Sequence, residues 1–325
     1  MPDPSHPNPC LADLREGESF EGFYVAREAS LSTTTNGKGY IRILLADATS
    51  QLSATYWDAS PEDFRLCPPG SVLKIQAQVE IYRGHQQLKI IRFRPAQAHE
   101  TADLIFIPVS RENLASLRTE FLDQLASLAD HDYLALAQAF FHAPDLLDAF
   151  CRWPAARTFH HAWLGGLLEH TVSVVRAANH YAAHARLNRD LLLIGSILHD
   201  IGKLEELCVT TSIEYSDRGK LLGHLFLGAE MLSKRAAGLG GFPDAKLHLV
   251  QHLILSHHGR LEYGSPVLPK IPEAFVLHHL DNLDAKVAGA NRLLENLDDP
   301  EKRWTDFTRQ FDSALFRADP PGGKA

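Results

Sequence analysis

The chain has 325 residues, 45% hydrophobic and 22% charged, and a formal net charge of −8. That balance suits a soluble globular protein of two domains, or of one large and one small. No apolar run approaches the roughly 20 residues a membrane span needs, and the acidic balance argues against non-specific coating of nucleic acid without excluding a local basic groove. The opening "MPDPSHPNPC" is polar and proline-rich and lacks the basic-then-apolar layout of a signal peptide. It reads as a disordered lead-in, and the expected location is the cytoplasm. Cys10, Cys67, Cys151 and Cys208 are too scattered for a CxxC pair and read as reduced thiols. Eighteen histidines, many between His160 and His279, are the first pointer to metal chemistry.

Residues 1–14 are taken as the lead-in. Residues 15–97 alternate with near period 2 in "EGFYVAREASLSTT", "KGYIRILLADATSQLSATYWD" and "GSVLKIQAQVEIYRGHQQLKIIRFRPA". Turn signals at Asn36-Gly37, Asp47 to Ser50, Pro68-Pro69-Gly70 and Arg83-Gly84 divide them. Five strands in about 80 residues predict a small closed β-barrel. Residues 98–110, with "DLIFIPVS", read as an extended linker, and Ser110, followed by Glu112 and Asn113, as a helix cap. From 111 to 317 the period becomes 3.6, in "ENLASLRTEFLDQLASL", "WLGGLLEHTVSVVRAANHYA", "RDLLLIGSILHDIG", "LLGHLFLGAEML" and "AFVLHHLDNLDAKVAGANRLLENL", which predicts an all-α domain. Residues 318–325 read as a frayed tail. The apolar helices around 112–150 suit either an oligomer interface or a cover for the helical core.

Within the first domain, "GKGYIRILLADATSQLSATYWDA" and "GSVLKIQAQVEIYRGHQQLKIIRFRP" resemble the OB-fold of nucleic-acid-binding proteins, with a strand ending in "L-x-D-x-T" and a later "Y-R-G-x-x-Q-L" hairpin. The residues themselves agree. Arg83, Lys89, Arg92 and Arg94 lie between Ile81 and Arg94 with no acidic residue among them. Tyr82 sits beside them, and Tyr40, Tyr56 and Trp57 fall on neighbouring predicted strands. Aromatic faces that stack bases, next to cations that meet phosphates, are what a single-strand groove needs. Tyr40, Trp57, Tyr82, Arg83, Lys89 and Arg92 are the candidate strand-binding residues, although barrel cores use aromatics too.

The helical segment embeds polar residues in apolar stripes. Examples are His170 in "GGLLEHTVSVV", His199 and Asp200 in "SILHDIGK", His224 in "LLGHLFLG", His257 and His258 in "LILSHHG", and Asp281 and Asp284 in "LHHLDNLDAKV". Burying one unpaired imidazole or carboxylate costs several kcal/mol (about 2–7 for a polar group). So many on core-facing helices must meet each other or an ion. Imidazole and carboxylate donors without thiolates suit manganese, iron, zinc, cobalt or nickel, and disfavour copper(I) and calcium. Adjacent His199 and Asp200 point in different radial directions, so the pair could hold one ion through the imidazole and bridge to a second through the carboxylate. Two ions about 3.5–4 Å apart clamp an in-line phosphoryl displacement. His180, His184, His248 and His252 read as ordinary helix residues.

This order, a lone His, His-Asp-x-x-Lys, His, His-His and Asp, resembles the HD phosphohydrolase superfamily. The resemblance implies a first metal on His170, His199, Asp200 and Asp281, and a second on His224 and His257 with Asp200 bridging. His258 is the alternative to His257. Asp284 would be an alternative metal ligand, an acceptor behind a ligand or a group facing substrate. Lys203 would meet a phosphate oxygen, and His161, of the doublet His160-His161, is a candidate phosphate contact. With the OB-fold ahead of it, the series "HHAWLGGLLEHT", "HDIGK", "GHLFLG", "SHHGRLEYGSP" and "LDNLDA" resembles the YhaM-type 3′–5′ exoribonucleases over nearly the whole chain. "LSTTTNGKGY" departs from that family's usual basic stretch. The turn at Tyr263 to Pro266 is expected to shape the wall beside His257, with Glu262 near the mouth. The resemblance implies two divalent ions, manganese foremost. Metal-activated water would hydrolyse single-stranded RNA, or single-stranded DNA, to nucleoside 5′-monophosphates, with Asp200 and Lys203 catalytic. It also implies a homo-oligomer and no membrane partner. The alternatives are a phosphodiesterase acting on a nucleotide or cyclic dinucleotide, with the barrel as a docking module, and a binding protein with a vestigial site.

Overall fold

The computed structural model describes residues 8–102, 104–295, 297 and 301–318. Residues 1–7 of the expected lead-in and 319–325 of the expected tail lie outside that range. The chain divides into two compact units, residues 1–109 with 209–212 and residues 110–208 with 213–325.

Five strands make the first unit: β1 (Ser19–Thr33), β2 (Gly39–Ala46), β3 (Gln51–Trp57), β4 (Val72–Tyr82) and β5 (His85–Pro95). β1 pairs with β2 and β4, β2 with β3, and β5 with β4, all antiparallel, while β3 and β5 run parallel and close the barrel in the order β1-β2-β3-β5-β4. This is the OB-fold architecture. Period-2 patterning does what the pleat requires: Leu73, Ile75, Ala77 and Val79 of β4 enter the core, and Lys74, Gln76, Gln78 and Glu80 face outward. Arg83 and Gly84 join β4 to β5 with φ of 53° and 81°, the positive values a two-residue hairpin turn of type I′ demands. Between β3 and β4 lies a short helix, α1 (Pro61–Arg65), with a reciprocal capping box between Ser60 and Asp63. The strand reading passed over it.

Residues 8–14 are not a disordered lead-in. Leu11 to Asp13 form a 3-10 turn, and Leu11 is buried in the barrel core. Asp47 explains why. One of its oxygens closes its own turn by accepting from the Thr49 and Ser50 backbone N–H groups, and the other accepts from Leu11 N at 2.7 Å. The Asn8 side chain bonds both backbone groups of Phe23, and Tyr24 donates to the carbonyl of Pro9. The expected linker also has partners: Leu104 and Phe106 pack against Phe23 and Val25.

Helices make the second unit: α2 (Leu114–Ala126), α3 (His131–Phe141), α4 (Pro144–Arg152), α5 (Gly166–Ala182), α6 (Arg189–Leu198), α7 (Lys203–Glu206), α8 (Asp217–Gly238), α9 (Asp244–Ser256) and α10 (Pro272–Glu295). A two-stranded sheet, β6 (Leu207–Val209) and β7 (Ile213–Tyr215), interrupts the series. α6 is buried on every side from Asp190 to Leu198 rather than along one stripe, which marks it as the central helix. Phe121 of α2, Phe140 and Phe141 of α3 and Phe150 of α4 form one aromatic cluster inside this core, so the helices around 112–150 cover it. The cap of α2 is Asn113, whose side chain accepts from Ser116 N. Ser110 instead donates to Glu169 at 2.6 Å. Among the described residues no helix is long and apolar enough to cross a membrane.

Leu11→Ala is expected to destabilise the barrel by about 2–5 kcal/mol, the usual cost of truncating a fully buried leucine. Chemical denaturation reads it. A change below about 0.5 kcal/mol would mean the segment is not part of the fold.

Candidate functional site

The polar residues of the helical unit converge on one carboxylate. Asp200 follows the end of α6 and is buried. Its Oδ2 lies 3.4 Å from His199 Nε2, 3.6 Å from His170 Nε2 and 2.6 Å from Lys203 Nζ. Its Oδ1 lies 3.5 Å from His224 Nε2 and 3.6 Å from His257 Nε2. The two oxygens therefore face two donor sets. His170, His199 and Asp281 form one, and His224, His257 and His258 the other, each within ligand distance of a single ion. Both His257 and His258 belong to the second set.

Local backbone design delivers these side chains. His199 and His257 each sit just past a helix end and turn Nδ1 onto the carbonyl three residues back, Ser196 and Ile254, both at 2.8 Å. Those are the carbonyls a helix terminus leaves without partners. His224 follows a break in α8 at Gly223, whose φ of 71° and ψ of 156° are not helical and favour glycine. Gly202 lets the two segments meet, since a Cβ there would lie 2.1 Å from the carbonyl oxygen of His224.

The orientations determine the chemistry. His170 Nδ1 faces Asp284 Oδ2 at 2.7 Å, His224 Nδ1 faces Glu206 at 3.0 Å, and His258 Nδ1 faces the Tyr263 carbonyl at 2.8 Å. With Nδ1 committed as a donor in all five rings, every Nε2 presents a lone pair inward. Two of them, on His170 and His199, stand 3.1 Å apart. Asp200 Oδ1 and His224 Nε2 are buried without a hydrogen-bond partner. Lone pairs and a carboxylate oxygen gathered this way require a cation among them. The polypeptide alone answers with a proton: burial disfavours charge on His170, but Asp281 and Asp284 outweigh it and raise the imidazole to about 10. A divalent ion meets the same demand and displaces that proton, so the residues fit a metal. Burial, with His258 and His199 beside it, holds His257 well below its ordinary value and keeps its lone pair free. Burial would raise Asp200, yet Lys203 and His199 keep it well below the usual carboxylate range.

Outside the donor sets lies a second layer. Asp284 accepts from His170, His161 and Ser173, and with His161 and His170 it forms a third group whose ligand atoms lie within 4.8 Å of one another. His161 is 4% exposed and wedged between Asp284 and Glu169. It cannot meet a phosphate, and its neighbour His160 lines the cleft instead. The cleft has a volume of about 330 Å³ and is bordered by Lys203, Glu206 and Arg157 as well as Tyr215 and Tyr263. Glu262, beside Tyr263 in sequence, pairs loosely with Arg260 at 3.9 Å. Of these, Glu206, Arg157 and Tyr215 carried no spacing signal that would have found them, while His160 belongs to the doublet the sequence singled out.

On the barrel, Tyr40 and Trp57 face outward as a ring pair with centroids 5.3 Å apart, and Trp57 is 47% exposed. Tyr82 is 55% exposed with the Arg83 guanidinium over its ring. The basic strip is less free than its sequence implied. Arg92 pairs with Glu21, Lys89 with Glu80 and Arg94 with Glu100. Glu80 comes from the adjacent strand β4 and Glu21 from β1, one strand further on, and a scan along β5 alone does not see them.

Comparison with known proteins agrees with this geometry. A family model described as the HD domain matches residues 167–286, the stretch that holds all the donors. The 3′-5′ exoribonuclease YhaM of Oceanobacillus iheyensis is 34% identical over 307 residues, covering 92% of this chain and 94% of that protein. This chain belongs to the YhaM family. Other members are similarly close: the proteins of the same name from Geobacillus sp. and Bacillus subtilis are 35% and 33% identical, covering 86% of this chain and 86% and 89% of theirs. The site is a divalent-metal site of the HD type.

Asp284→Asn keeps the shape of the outer layer but removes its charge. Metal affinity should fall about 10–100-fold, the usual effect of losing such a partner, in calorimetric titration of the metal-free protein with manganese. An unchanged affinity would remove Asp284 from the site.

Proposed function

We propose that this protein is a metal-dependent 3′–5′ exoribonuclease that shortens single-stranded RNA and releases nucleoside 5′-monophosphates. The observation that carries the reading is the division of two buried imidazole sets by the two oxygens of Asp200. The relatives that share most of the chain, each named a 3′-5′ exoribonuclease, support it.

In this reading His170, His199 and Asp281 would hold one divalent ion, and His224 and His257 a second with His258 beside them. Asp200 would serve both, and manganese is the expected metal. Bound there, such ions polarise a phosphodiester and lower the pKa of water for in-line attack. The chain's own groups do the rest. Glu206 fixes the tautomer of His224, and Asp284 that of His170. Lys203 is raised above its ordinary value by Asp200 against the cost of burial, so it stays charged and meets phosphate oxygens in the cleft. His160 is lowered to about 3 by burial, with Lys203 and His170 nearby, and borders the cleft as a neutral group. Hydrolysis breaks the bond between phosphorus and the 3′-oxygen. Water adds its oxygen to phosphorus, and the shortened strand leaves with a 3′-hydroxyl. The barrel holds the strand by stacking on Tyr40, Trp57 and Tyr82, with Arg83, Lys89 and Arg92 near the backbone.

The deciding experiment incubates the protein and manganese with 5′-end-labelled and 3′-end-labelled single-stranded RNA. Mononucleotides should be released from the 3′ end, and Asp200→Ala should abolish release. Cleavage of small nucleotides beside intact RNA would favour the phosphodiesterase alternative instead. Trp57→Ala should weaken binding of a long strand by about 1–3 kcal/mol, read by fluorescence anisotropy, while hydrolysis of a dinucleotide stays unchanged.

A further inference from the structure

The segment "RLEYGSP" has no metal-ligand logic, yet it places an aromatic ring at the cleft. Leu261 to Tyr263 form a 3-10 turn closed by Gly264, whose φ is 90° and whose N–H donates to the Leu261 carbonyl. Ser265 N donates to the Arg260 carbonyl, so the turn is hydrogen-bonded at both ends. Tyr263 is 57% exposed and borders the cleft. The guanidinium of Arg260 lies over its ring, 5.6 Å from the centroid. A large aromatic side chain left this open makes little contribution to the core. Its backbone is nonetheless fixed to the donor sets, because the Tyr263 carbonyl is the group that accepts His258 Nδ1–H at 2.8 Å.

We infer that Tyr263 is the stacking platform for the base of the 3′-terminal nucleotide, an inference that rests on the exonuclease reading above. The chemistry fits a step that must accept any base. Every base has a π-face, and an aromatic ring stacks on it without reading its edges. Arg260 on the ring adds a cation–π contact. The cleft volume of about 330 Å³ sits at the lower end of small-molecule sites, the size for one nucleotide rather than a base pair. The hydrogen bond to His258 gives the platform a set position relative to the donor sets. The terminal residue is thereby gripped beside the bond to be cut, independently of any grip on the body of the strand.

The test uses the full chain with manganese and two short single-stranded RNAs, one ordinary and one whose 3′-terminal residue lacks its base. Release of that residue is measured as kcat/KM. The wild-type protein should prefer the ordinary end by about 5- to 150-fold, the range of one stacked base. Tyr263→Ala and Tyr263→Leu, both at an exposed position, should lose that preference and treat the two ends alike, and Tyr263→Phe should restore it. Variants that keep the full preference overturn the inference, as does its loss in Tyr215→Ala but not in Tyr263→Ala. A wild-type protein that releases nothing from either RNA, yet cleaves small nucleotides, overturns the exonuclease reading itself.

Discussion

A buried carboxylate facing four inward imidazole nitrogens is the constraint on which the helical unit is built. Asp200 has almost no exposed surface, and an isolated charge at such a depth is strongly disfavoured. Lys203 compensates on one side only, through Oδ2. On the Oδ1 side the neighbours are imidazole nitrogens whose protons are committed elsewhere. A cation is therefore part of the stable arrangement, and the fold spends five separate elements on supplying its donors.

Those elements deliver their side chains at helix ends or breaks wherever several must converge. α6 ends before His199, α9 ends before His257, and α8 breaks at Gly223 before His224. Helix interiors keep side chains of different helices roughly 8–10 Å apart at the axes, which leaves little freedom to aim short rings at one point. A terminus frees the direction and also leaves carbonyls without partners. The two histidines that cap α6 and α9 use the same i−3 carbonyl for both purposes, satisfying it and fixing their own tautomer. His170 and Asp281 come from helix interiors, and their long helices, α5 and α10, are held by Asp284, which bonds His170 and Ser173 across the gap.

The barrel's outer face is built from exposed contacts instead. Arg92 and Lys89 rest on Glu21 and Glu80 at 3.3 and 3.8 Å, and exposed pairs of that kind are worth about 1 kcal/mol or less. Trp57 and Tyr40 face each other as a ring pair, a contact that needs no hydrogen-bond geometry.

The sequence by itself determined both fold classes. Strand alternation and helix period are local, and so are the turn at Asp47 and the i−3 geometry of His199 and His257. It also singled out the His and Asp residues that the fold brings together, because an unpartnered His or Asp in an apolar stripe is costly wherever the stripe packs. Tertiary structure decided what period and spacing cannot encode. His161 and His160 are adjacent in sequence, but the chain sends the first behind His170 and the second into the cleft. Asp284 was turned onto His161, His170 and Ser173. Leu11 and Asn8, apolar and polar residues in a stretch without pattern, are held by Asp47, 36 residues on from Leu11, and by the Phe23 backbone, 15 residues on from Asn8. Glu21 and Glu80 neutralised a strip that looked free along β5. In each case the deciding partner is distant along the chain. The energy of a buried polar group depends on which partner reaches it, not on the residues beside it in sequence.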